Sequence, residues 1–176
     1  MNWNQQTERL TLRLPVTDKD GDALFELLKD PEVSAHIPKP PMYASVQGLD
    51  ELRRATMQFQ SREAATWLLE RHGDDQVLAR IRLLNINWLM LSAQLQWELS
   101  PKLAVDEVDE ALAAIHAFCF QELGLHRLDM RICEGAKASS SHLIRSGYEY
   151  EGCLPAQLEF ESRWINLEMY SLLSEN

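Results

Sequence analysis

Hydrophobic and polar residues alternate from the start of the chain. Over residues 8–14, Leu10, Leu12 and Leu14 take every second place, and Arg9, Thr11 and Arg13 fill the others. That period predicts a half-buried strand, ended by Pro15. The period then lengthens. Ala23, Leu24, Leu27 and Leu28 fall at helical spacing, so residues 18–29 read as a helix, with Thr17 as N-cap and Asp20 completing a near capping box. Pro31, Pro38, Pro40 and Pro41 break residues 30–44 into loop or short helical turns. Leu49, Leu52, Met57 and Phe59 predict a second helix over 45–60, with Ser45 as a cap, placed to act as a flap over a site.

Strand formers dominate 66–69 and 77–84, with Gly73-Asp74-Asp75 as the turn between them. Leu95, Trp97 and Leu99 then alternate with Gln94, Gln96 and Glu98, giving a strand with one apolar and one polar face, closed by Pro101. Val108, Leu112, Ile115, Cys119 and Leu123 recur at steps of three or four and predict a helix over 105–123, stopped by Gly124. Its first turns hold Asp106, Glu107, Asp109 and Glu110, where the helix dipole favours acids. Leu128, Met130 and Ile132 mark another strand, residues 139–146 a short helix ended by Gly147, and residues 148–173 two last strands. The order β-α-α-β-β-β-α-β-α-β-β predicts an α/β domain with a mixed sheet and helices on both faces.

Composition narrows the function classes. A chain of 176 residues suits one domain over 1–176, and a net charge of −10 makes it a poor general ligand for nucleic acid or anionic membrane. The polar N-terminus reads as lacking a secretory signal, and no apolar run approaches a membrane span. Three cysteines, Cys119, Cys133 and Cys153, fit buried reduced thiols in a cytoplasmic protein better than a disulfide framework. The five histidines show no metal-ligand spacing, so no metal is expected. Trp67, Trp88, Trp97 and Trp164 read as core or interface residues.

Several segments, taken in order, carry a resemblance. They are Thr7-Glu8-Arg9-Leu10, Ala23 to Leu28 with Asp30-Pro31-Glu32-Val33, Leu99-Ser100-Pro101, Phe120 to Leu128, Ser139 with Leu143 and Gly147-Tyr148, Glu151-Gly152, and Met169-Tyr170. Together they resemble the GNAT acetyltransferase superfamily, most of all the branch that acetylates the N-termini of ribosomal proteins. The resemblance implies a splayed central strand pair that admits acetyl-CoA, and direct transfer of the acetyl group to a primary amine, on a protein N-terminus or a small molecule. It places the cofactor against Leu99, Ser100, Lys102, Ala104, Val105, Asp106, Glu107 and Val108, and it gives Ser139 the role of protonating the leaving thiolate. The other reading of Ser139 is an N-cap for its helix.

The chain departs from the family pattern at the phosphate loop. No glycine occurs between Gly73 and Gly124, and the four acids after Ala104 oppose a diphosphate, with Lys102 alone to offset them. The family's tyrosine acid falls on Ile144 and its asparagine on Ala136. Glu98 is the substitute candidate for general base, against the plainer reading of a solvated strand carboxylate. Gln94 and Gln96 share its face as substrate contacts, and Asn166 stands where it can orient an amine or serve a turn. The alternative function is a catalytically silent domain that has kept the fold and lost coenzyme A; a ligand-sensing or homodimeric scaffold is a third class.

Overall fold

Each period seen in the sequence becomes an element of the computed structural model, which describes residues 1–175. In chain order these are β1 (Gln5–Gln6), β2 (Leu10–Arg13), α1 (Thr17–Leu28), a 3-10 turn (Pro31–Ser34), α2 (Ser45–Gln60), β3 (Ala65–Arg71), β4 (Ala79–Asn87) and β5 (Ser92–Leu99). Then follow α3 (Val105–Ala117), a wide π turn (Phe118–Glu122), β6 (Arg127–Cys133), α4 (Lys137–Arg145), β7 (Glu149–Phe160) and β8 (Arg163–Leu173). The eight strands form one sheet in the order β1-β2-β3-β4-β5-β6-β8-β7. Every neighbouring pair is antiparallel except β5 and β6.

Alternation sends the two faces of this sheet to different helices. On one face Leu10, Leu12, Trp67, Ile81, Leu95 and Trp97 pack against Val108, Leu112 and Ile115 of α3 and Leu143 of α4. On the other, Leu68 and Val77 pack against Leu24, Leu27 and Leu28 of α1 and Leu52 of α2. Helices α1 and α2 cross so closely that a Cβ at Gly48 would lie 2.1 Å from the Gly21 carbonyl oxygen, so only glycine fits there.

The helix starts correct three expectations. Val16, not Thr17, caps α1, and the Asp20 carboxylate accepts the Val16 N–H at 2.6 Å. Ala44 caps α2, where Gln47 Oε1 accepts the Tyr43 and Ala44 N–H groups, so Ser45 is already helical. Helix α4 starts at Lys137 with Ala136 as cap, which removes the N-cap reading of Ser139. Its cause is the local turn in which Ala136 N–H reaches back to the Cys133 carbonyl. Cys153 departs from expectation: it is exposed on the outermost hairpin, which no helix covers, and Trp164, 66% exposed on the same hairpin, keeps only the interface reading. Among the described residues no helix is long and apolar enough to cross a membrane.

Candidate active site

Strands β5 and β6 pair from Ser92 with Arg127 to Leu95 with Met130 and then part. Beyond that point β5 stays with β4 as far as Leu99, and β6 stays with β8 as far as Cys133. Residues 96–99 therefore turn an edge with no strand partner toward β6, a row of backbone donors and acceptors in the middle of the sheet. Bulky rings border the wedge. The Trp97 indole lies between the His36 ring, 6.1 Å away by centroid, and the His142 ring of α4, 6.4 Å away.

The start of α3 stands at the mouth of this wedge. Its acids do not face solvent unpaired, as the sequence suggested. Arg9 of the β1–β2 connection bonds Asp106 at 2.7 Å and Glu110 at 2.6 Å, and Arg71 of β3 bonds Glu107 at 2.7 Å. Glu107 also accepts the Ala104 N–H at 2.8 Å. The hydrogen bond from Arg71, against a smaller opposing effect of burial, brings the Glu107 carboxyl down to about 2. With Lys102 adjacent, the rim is close to charge balance. The arginines responsible lie 36 and 97 residues away in the chain, where local sequence carries no sign of them. Deeper in, Asp109 joins α3 to α4 through His142 Nδ1 and Arg145 Nε, each at 2.6 Å.

The polar face of β5 is also different from its expected solvated state. Glu98 is 1% exposed and is bonded by Arg80 at 2.8 Å, Arg82 at 2.9 Å and Lys39 at 2.5 Å. Burial alone would raise its pKa, but these three cations hold it well below the usual carboxylate range. A carboxylate so held is a poor proton acceptor and a good charge anchor. Arg80 continues to Glu51 of α2 at 2.8 Å. Gln96 Oε1 accepts from Arg82, and Gln94 Oε1 accepts a longer bond from Asn85. A cavity of about 380 Å³ opens on this face beneath α2, with Glu51, Arg54, Thr66, Arg80, Arg82 and Asn85 among its walls.

The remaining candidates separate. Ser139 sits in the first turn of α4, three and four residues before His142 and Leu143, and so on the buried side of the helix. Its neighbours Ser140 and Ser141 return their hydroxyls to the Lys137 carbonyl; Ser139 has no such bond among the described residues. Asn166 is used up as a brace, accepting the Ala156 N–H and donating to Glu134. One residue that sequence reasoning passed over borders the wedge: buried His36, in the proline-rich segment after α1, whose carbonyl accepts the Cys133 N–H.

Family and structural comparisons agree with this geometry. The acetyltransferase (GNAT) domain family matches residues 9–149. The uncharacterised N-acetyltransferase YoaA of Bacillus subtilis (strain 168) is 22% identical over 169 residues, spanning 96% of this chain and 95% of that protein. The ribosomal-protein-S5-alanine acetyltransferase of Vibrio fischeri superposes with a TM-score of 0.85 at 13% identity, over 98% of this chain and 97% of that one. The spermidine N-acetyltransferase of Vibrio cholerae, solved with CoA and spermine, gives 0.81 at 17% identity, over 95% and 96%. By its matched sequence and its splayed sheet alike, this chain belongs to the GNAT acetyltransferase domain family.

Proposed function

We propose that the protein transfers an acetyl group from acetyl-CoA to a primary amine, on a protein N-terminus or a small molecule, by direct attack. The observation that carries this reading is the parting of β5 from β6 after Leu95 and Met130. The open edge of residues 96–99 can hold an extended amide-bearing arm by strand-like hydrogen bonds. The first-turn amides of Val105, Asp106 and Glu107 can face a diphosphate, with Leu99, Ser100, Lys102, Ala104 and Val108 forming the approach. The balanced charge of the rim supports that fit, because Arg9 and Arg71 already answer the acids. Acetyl-CoA supplies an activated acyl group.

The acceptor amine approaches from the opposite face, through the cavity under α2, whose wall residues Arg82 and Asn85 bond the side-chain amides of Gln96 and Gln94. Glu98 fixes Arg80, Arg82 and Lys39 in place. Ser139, with its hydroxyl uncommitted, is the donor for the leaving thiolate.

One feature favours the silent-domain reading: the Asp109 clasp to His142 and Arg145 ties α3 to α4 beside a glycine-free helix start. Thermal unfolding with and without saturating acetyl-CoA separates the two. A ligand at a hundred times its Kd adds about 2.7 kcal/mol, which gives a clear rise in Tm. Thiol release is then measured with spermidine and with short peptides beginning in serine or alanine. A rise in Tm with thiol release on one acceptor supports the enzyme. No rise and no release leaves the silent domain.

A further inference from the structure

Four buried side-chain polar atoms lack a hydrogen bond among the described residues: Arg82 Nε, Arg131 Nε, His36 Nε2 and Asp129 Oδ1. Such atoms are nearly always paired, so each exception asks for a partner. Asp129 has one in ionic contact, Arg127 at 2.6 Å. His36 is sealed inside the protein. The two arginines differ, because both reach solvent. Arg82 walls the cavity under α2 and its side chain is 19% exposed. Arg131 is half-buried, and none of its three nitrogens has a hydrogen bond or ion pair among the described residues. Arg82 Nη1 and both Arg131 Nη atoms are unbonded without being sealed.

Strand register brings these two side chains to one level. Arg82 stands opposite Gln96 in the β4–β5 pairing. Leu95 and Met130 are the last pair of β5 with β6, so Gln96 and Arg131 are the first residues past the parting. Leu128, Met130 and Ile132 lie in the core with α3 and α4, and alternation turns Arg131 to the other face, the one that α2 covers. Arg82, Gln96 and Arg131 thus form one row across three strands, ~10 Å from end to end at the backbone before the splay widens it. The carboxylates around this row are taken. Glu98 is bonded by Arg80 and Arg82, Glu51 by Arg80, and Asp129 and Glu151 by Arg127. Arg131 is left with none.

We propose that Arg82 and Arg131 form an anion subsite at the mouth of the wedge, and that the acceptor is a small amine that also carries a carboxylate, of the size of an α-amino acid. The proposal rests on the transferase reading above. A carboxylate offers one oxygen to each guanidinium, and the planar N–H forks suit it. Burial and the charge of Arg80 both weigh against the Arg82 cation, so an anion placed there is favoured. The row is the first level of the open edge. A carboxylate seated on it sets an amine one or two carbons away beside residues 96–99, where the thioester would lie. A polyamine would bring further positive charge against the same row.

The test compares acceptors that differ in charge alone. Thiol release is measured with free amino acids, each against its own α-amide, and with spermidine and the peptides above. The best amino acid exceeds its amide in kcat/KM by ~10–100-fold, the range for losing a charge-assisted hydrogen bond. Arg131→Gln removes the fork from a position that bonds nothing else. In this variant the ratio of acid to amide falls toward one, through KM and not kcat, and the Tm rise on acetyl-CoA is retained. Arg131→Lys keeps the charge without the fork and recovers part of the ratio. Independently of turnover, the Nε ¹⁵N–¹H signals of Arg82 and Arg131 shift when the preferred amino acid is added to the protein without acetyl-CoA. A wild-type ratio near one, fastest turnover with spermidine or the peptides, or no thiol release on any amino acid overturns the proposal. So does an unchanged ratio in folded Arg131→Gln. If acetyl-CoA raises no Tm and no acceptor releases thiol, the transferase reading falls and this proposal with it; if amines are acetylated with no preference for the acids, this proposal falls alone.

Discussion

Two clusters of acids and arginines flank the wedge, and they differ in kind. Around Glu98 the carboxylate is sealed from water, with Arg80 buried beside it, Arg82 mostly so, and Lys39 half-buried. Around the start of α3, Asp106 and Arg9 are well exposed and Arg71 is partly so, with only the Glu107 carboxylate buried. Coulomb attraction is stronger where water is absent, but so is the penalty for leaving any partner alone. The inner cluster is therefore a structural commitment whose members cannot be lost singly. The outer one is an adjustable surface, where a charge can change with little cost to the fold.

The difference can be broken most sharply at Glu98. Glu98→Gln strands three cations around a neutral amide and should cost about 3–5 kcal/mol, read by urea unfolding. Acid titration adds a second contrast. The folded Glu98 pKa lies below its unfolded value, so its contribution is complete above about pH 4.5 and fades only as pH falls toward the depressed folded value. Glu107 follows the same sign over a defined window, from about 4.5 down to about 2. Glu107→Gln should cost no more than ~1 kcal/mol, because the amide oxygen can still accept from Ala104 and Arg71. Smallest in stability is Asp106→Asn, which should leave Tm unchanged and tighten acetyl-CoA by a few-fold at low salt, an advantage that high salt removes. An equal loss of stability at Glu98 and Asp106 would abolish the distinction.

Much of the fold was legible because burial leaves a period in the chain. Leu10 and Leu12, or Val108, Leu112 and Ile115, state their element and its inner face without help. The caps of α1 and α2 lie one residue before the expected ones because a side chain reaches backward, as Asp20 does to Val16, and the cap of α4 lies three before. The site was harder. Arg80 and Arg82 interrupt an apolar strand, and they lie opposite Glu98 and Gln96 in the β4–β5 register, a signal that a hairpin reading could have used. Arg9 and Arg71 meet α3 only through the tertiary fold. His36 is a lone histidine between prolines, with no period around it, and it is brought beside the wedge by the Cys133 contact across the sheet.

The glycine contact between α1 and α2 reaches further than its own helices. With Gly48 set against Gly21, the two helices hold the segment joining them at both ends, and that segment is stitched to Cys133 midway along its length. A methyl group at position 48 would press on one of those ends. Beyond the ~1–3 kcal/mol usual for overpacking, it would shift the stitched segment, so a substitution remote from the chemistry would be felt as misaim at the place where the strands part.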